Sequence, residues 1–278
     1  MKYILVLILA LPNFCFAYIP KTITVLKNIA ETRTDSSLRI KKEIIFQTEN
    51  DKYLVKETWY IKDSENFYIK ATGPGFSFEA LHQNGQRYRR NSEGQLLKSQ
   101  DDVNFFMPLF VSNDANLIAN YLIRSEILLP KVLQKPRALH KMEEIKYSPE
   151  ERIRLTRKDG IVHFGLGEPT PVDSNSPKAQ AWVLQNDFFI TKLRQEEFSV
   201  EANAYKKYAR SISYPEKMIL KWDLFNVEIQ TLDIDRISVG KNTKEKFEVN
   251  KLTNQAAQQS LVENPTIESV RKFYLKFR

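Results

Sequence analysis

Apolar and polar residues alternate with period two along most of this chain. Leu38, Ile40, Ile44 and Phe46 alternate with Arg39, Lys41 and Glu43. Tyr53, Val55, Trp59 and Ile61 interleave with Leu54, Lys56, Thr58 and Tyr60. Phe67, Ile69 and Ala71, then Phe76, Phe78 and Ala80, repeat the rhythm. Successive side chains of a strand point to opposite faces, so each run predicts a strand with one buried and one wet face. Short turns separate the runs: Glu49-Asn50-Asp51, Asp63-Ser64-Glu65, Gly73-Pro74-Gly75 and Asn84-Gly85. Such turns make neighbouring strands antiparallel, and Asn-Gly is the strongest short hairpin signal. Strands resume at about residue 153 and continue to about 237, through Met218, Leu220 and Trp222. So many hairpin-linked strands predict a mainly β fold, one antiparallel sheet curled round a few helices.

The helices are predicted in three places. Residues 20–32 carry Ile23, Leu26, Ile29 and Ala30 on one face. Residues 100–148 break the strand rhythm. There Val103, Phe105, Phe106, Met107, Leu109, Phe110 and Val111 form an apolar run interrupted by Pro108, which predicts a hinge. Asp114 then caps a helix carrying Leu117, Ile118, Tyr121 and Leu122. At the end, Asn264-Pro265 open a helix with Ile267, Val270, Phe273, Tyr274 and Phe277 on its apolar face. Lys272, Lys276 and Arg278 suit the dipole of its last turns.

Residues 1–17 have the layout of a secretory signal: Met1-Lys2, an apolar stretch from Ile4 to Leu11, and Cys15-Phe16-Ala17 before the cut. The expected organisation is a cleaved leader at 1–17, a barrel-like domain at 18–240 with a helical insertion at 100–148, and a charged linker with an amphipathic helix at 241–278. Export after Ala17 places the mature chain in the periplasm and removes Cys15, the only cysteine. No disulfide or thiolate chemistry is then expected. The net charge of +8 would suggest nucleic acid in a cytoplasmic protein. Export argues against that partner. Arg87-Tyr88-Arg89-Arg90 and Lys206-Lys207 read as solvated basic faces, with attraction to anionic head groups as the functional alternative.

No catalytic or metal-binding pattern emerges. His82, His140 and His163 lack ligand spacing, and His163 reads as a packed strand residue. Gly73-Pro74-Gly75 and Gly165-Leu166-Gly167 read as turns and not as phosphate cradles. The chain is therefore expected to be no enzyme and to need no cofactor or metal. Its surplus is aromatic. Phe105, Phe106, Leu109, Phe110, Leu117 and Tyr121 are expected to form a cover. Trp59, Phe67, Ile69, Phe76 and Phe78 are expected beneath it, with Trp182, Met218, Leu220 and Trp222 completing the lining. Together they predict a hydrophobic cavity under a helical lid.

This pattern resembles the LolA and LolB family of outer-membrane lipoprotein carriers. The matching stretches are the first helix running into 38–48, the hairpin of 55–62 with 67–70, and Ala181-Trp182-Val183-Leu184 with 186–193. Tyr214-Pro215 before Met218, and then Val227-Glu228-Ile229, complete the match, which spans 20–240. The resemblance implies an incomplete antiparallel barrel with a helical plug, whose cavity shelters acyl chains. The implied partner is an acylated lipoprotein or another lipid, with envelope proteins or a membrane surface as further partners. The alternative is an envelope interaction or signalling protein on the same fold with no lipid cargo, docking its partner through the insertion and the last helix.

Overall fold

The computed structural model describes residues 19–34, 36–47, 52–133, 147–170, 177–209, 211–238, 240–253 and 265–278. The expected leader at 1–17, the expected Glu49-Asn50-Asp51 turn and the expected helix start at Asn264 lie outside them. The alternating runs become β1 (Leu38–Gln47), β2 (Lys52–Asp63), β3 (Asn66–Gly73), β4 (Phe76–Gln83), β5 (Gln86–Arg90) and β6 (Leu96–Gln100). After the insertion come β7 (Tyr147–Ser148), β8 (Ile153–Lys158), β9 (Ile161–Leu166), β10 (Gln180–Leu184) and β11 (Ile190–Arg194). The last three are β12 (Phe198–Tyr208), β13 (Ile212–Trp222) and β14 (Phe225–Arg236). All lie in one antiparallel sheet of order β6-β5-β4-β3-β2-β1-β14-β13-β12-β11-β10-β9-β8-β7. Every neighbour is a hairpin partner except one. β1 meets β14, pairing Leu38 with Arg236.

The two edges, β6 and β7, are not paired with each other, so the sheet curls without closing. The segment that joins these edges in sequence is the insertion. At the turns, Asn84 (φ 50°) and Gly85 (φ 75°) supply the two positive φ angles of a type I′ hairpin, as do Asp159 and Gly160. The β1–β14 ladder shifts register between Lys41 and Lys42, passing over Leu232, which is left exposed. Lys42 keeps the inward register of Ile40 and Ile44.

Helix α1 (Thr22–Glu31) buries Val25, Leu26, Ile29 and Ala30. Glu151 anchors its start, accepting from the Thr22 amide at 2.8 Å and, through its carbonyl, from the Thr22 hydroxyl at 2.7 Å. The insertion holds α2 (Pro108–Val111) and α3 (Ala115–Arg124). Asp114 caps α3 as expected, accepting from the Asn116 amide at 2.7 Å. Pro108 does not interrupt a helix, so the lost hydrogen bond that suggested a hinge does not arise. Pro108 stands in the first turn of α2, where a missing N–H costs nothing.

Beyond β14 the chain forms α4 (Lys241–Lys244) and two short 3-10 turns, at Glu245–Phe247 and Val249–Lys251. Phe247, Val249 and Leu252 pack on the outer face of the sheet, against Tyr60, Tyr68, Leu81 and Tyr88. Helix α5 (Pro265–Phe277) lies on the other face, in the main core.

Candidate functional site

The cover meets part of the inward face of the sheet, while Phe76 and Phe78 lie against Tyr274 of α5. Phe105 stacks parallel to Trp59 at 6.0 Å and meets Phe67 edge-on at 5.6 Å. Phe106 packs against Phe110 within the cover and Phe198 on the sheet. Ile69, Leu109, Met218 and Leu220 are wholly buried in the same core, and Tyr121 donates its hydroxyl to the Val103 carbonyl. Leu117 stands at the rim, half-buried, lining a cleft of about 290 Å³ with Leu38, Ile61 and Val111. Trp182 is a correction. Ala181 and Val183 point inward, so period two turns Trp182 outward, where Lys192 and Arg194 lie over its ring. The expected packing of His163 holds; its Nδ1 is 2.9 Å from the Ile161 carbonyl.

Helix α5 fills the trough between these residues. Val270, Phe273, Tyr274 and Phe277 are completely buried. Phe273 meets Phe46 edge-on, Tyr274 lies between Phe76 and Phe78, and Phe277 contacts Phe106, Phe198 and Trp222. Arg87 donates to the carbonyls of Leu275 and Arg278, both at 2.9 Å. A cation there suits the negative end of the helix. Part of the basic run that read as a solvated face is thus used to seat α5. Lys276 pairs with Glu197 at the rim.

Beneath α5 lies a charged cluster that periodicity alone did not single out. Arg278 donates from Nε to Glu57 at 2.9 Å, with both side chains 0% exposed. The indole of Trp59 donates to the other carboxylate oxygen at 2.8 Å. Lys42 lies alongside, its Nζ 4.3 Å from the Trp59 ring centre and 3.8 Å from the sulfur of Met107. Burial alone would raise the Glu57 carboxyl, but Arg278, then Lys42 and the indole, hold it below the usual carboxylate range. Burial lowers the Lys42 ammonium to about 7, Arg278 adds to the fall, and Glu57 offsets only part of it. Both residues occupy inward positions of their strands, Lys42 between Ile40 and Ile44, and Glu57 between Val55 and Trp59. That was the signal available in the sequence: a charge standing in the apolar register.

No protein-family model and no curated protein matches this sequence. Solved structures do. A LolA superfamily protein from Nitrosomonas europaea aligns with a TM-score of 0.52 at 13% identity, over 81% of this chain and 97% of that one. The chain has the LolA fold. A DUF1329 family protein from Desulfovibrio piger aligns over 84% of this chain and 98% of its own, at 11% identity and a TM-score of 0.49. An outer membrane lipoprotein-sorting protein domain from Vibrio parahaemolyticus aligns over 90% and 97%, at 12% identity and a TM-score of 0.45. In this LolA-like chain the concave face that the cover and sheet enclose is occupied by α5. The last helix turns its apolar side inward and so does not offer it as a docking surface.

Proposed function

We propose that this protein is an exported, non-enzymatic binder of lipid or lipoprotein acyl chains, which lie on the concave face of its LolA-like sheet in place of α5. One observation carries the reading: the trough already takes an amphipathic segment from a different part of the chain. Its 13 residues span about 20 Å, comparable to a long acyl chain. The four buried apolar side chains of α5 contribute about 6–12 kcal/mol. One long acyl chain gains on the order of 10 kcal/mol when sheltered. The two occupants are therefore closely matched, and a cargo with more than one chain outcompetes the helix. Glu268, Arg271 and Lys272 keep the other side of α5 wet, so the helix remains soluble when it leaves. The leader-like layout of residues 1–17 supports export, and the LolA-like fold is consistent with a role in outer-membrane lipoprotein transport.

The test is fluorescence titration with a labelled fatty acid, on the wild type and on a Phe273→Asp/Phe277→Asp variant that loosens α5. Uptake by the wild type, strengthened in the variant, is expected. No uptake by either protein, with circular dichroism unchanged, refutes acyl binding.

A further inference from the structure

The interior of the curl carries more positive than negative charge. Arg278 and Glu57 neutralise each other. Lys42, 1% exposed, forms no ion pair among the described residues, and neither does Arg33. Arg33 follows α1 and reaches in beneath it. One of its terminal nitrogens donates to the Ser213 carbonyl at 3.5 Å. Its Nε and other terminal nitrogen are dry, and the Tyr205 hydroxyl, itself donated to the Ile190 carbonyl, is the polar group beside them. Between these cations stands Tyr214. Its ring centre is 5.5 Å from the Lys42 ammonium, and its hydroxyl is buried with no partner among the described residues. Tyr214 also feels the charges of Arg33, Arg278 and Glu57.

Buried donors without acceptors are costly, and an isolated buried cation more so. The charge count selects what relieves them. When α5 withdraws it takes Arg278 with it. Without Arg278, which helps to lower the Lys42 ammonium, Lys42 takes up its proton, and Arg33 and Lys42 together exceed the charge of Glu57 by one. A cationic head raises that to two, a neutral head leaves it, and a single negative head brings it to zero. We infer that Lys42, Tyr214 and Arg33 form an oxyanion site inside the curl, which holds the anionic head of an acyl chain that has replaced α5. The head is a carboxylate, or a phosphate monoester that keeps one proton, whose oxygens accept from the ammonium, the hydroxyl and the guanidinium. This rests on acyl binding at the concave face, and narrows the cargo to chains that end in an oxyanion.

The experiment compares anthroyloxy-stearate with its methyl ester, two probes of one shape that differ in the charge of the head. Charge-assisted hydrogen bonds favour the acid by about tenfold to a hundredfold in the wild type. Lys42→Met should bring the acid-to-ester ratio to about one, because the main charge partner is gone. Tyr214→Phe should lower the ratio in part, and Lys42→Arg should keep it. Thermal melts identify any variant that fails to fold; the remaining variants and the wild-type ratio still decide. Displacement of the probe by oleate or by lysophosphatidate supports the site and distinguishes a free fatty acid from a lipid phosphate as its source. Equal affinity for acid and ester in the wild type, or a preference that survives Lys42→Met, overturns the oxyanion site while leaving acyl binding intact. Binding of neither probe, in the wild type and in Phe277→Asp, overturns acyl binding and the site together.

Discussion

Replacing Lys42 with methionine should stabilise this protein at pH 6, although it deletes an ordinarily favourable charge. In the folded state the ammonium is lowered from 10.5 to about 7 by burial and by Arg278. Between those values the unfolded chain holds a proton that the folded chain has released. Stability of the wild type therefore rises with pH through that window, and the full penalty is present below it. From pH 6 to pH 9 the gain is roughly 2–3 kcal/mol, with each pKa unit worth about 1.4 kcal/mol. The other charged groups facing Lys42 stay in one state over that range. Glu57 is held below the usual carboxylate range, and Tyr214 and Tyr274 are raised above the usual tyrosine range. Burial lowers nearby His82, with Asp101 opposing, so its titration lies at the acid end. Methionine has similar length and lies beside Met107 and Trp59, so packing is preserved. Urea denaturation of wild type and Lys42→Met at pH 6 and pH 9 gives the comparison. The wild type should gain those 2–3 kcal/mol relative to the variant as the pH rises. Parallel pH dependence in the two proteins would show that Lys42 is not held neutral, and would refute the reasoning.

Three further outcomes can be checked in the same way. Glu57→Gln leaves the buried Arg278 without its ion-pair partner and should cost about 3–5 kcal/mol in urea denaturation, far more than loss of a surface pair. Phe106→Ala removes a wholly buried ring shared by the cover, Phe198 and Phe277, and should cost about 3–5 kcal/mol. Trp182→Ala, on the outer face, should cost no more than about 1 kcal/mol and leave fatty-acid titration unchanged.

Much of the concave face was legible in the residues because strand geometry is local. The alternation of Val55, Trp59 and Ile61, and of Phe76, Phe78 and Ala80, sets which side each residue takes, and all six are buried. The same rule, applied to Ala181 and Val183, would have turned Trp182 outward; its aromatic character had outweighed its register. Applied to Lys42 and Glu57 it would have put two charges inside. Helix α5 was legible as an amphipathic element, with Val270, Phe273, Tyr274 and Phe277 on one face. Where that face would be buried was not, because a helix pattern carries no address. The destination depends on contacts across the whole chain: Phe273 with Phe46, Tyr274 with Phe76, and Arg278 with Glu57, 221 residues away. The pairing of β1 with β14 is equally non-local and brings Lys42 opposite Thr231. Periodicity and turn chemistry act within a few residues and so determine strands, faces and hairpins. Only the assembled tertiary structure, where apolar surface is removed from water wherever shapes match, decided that the protein's own last helix and its buried charges would occupy the trough.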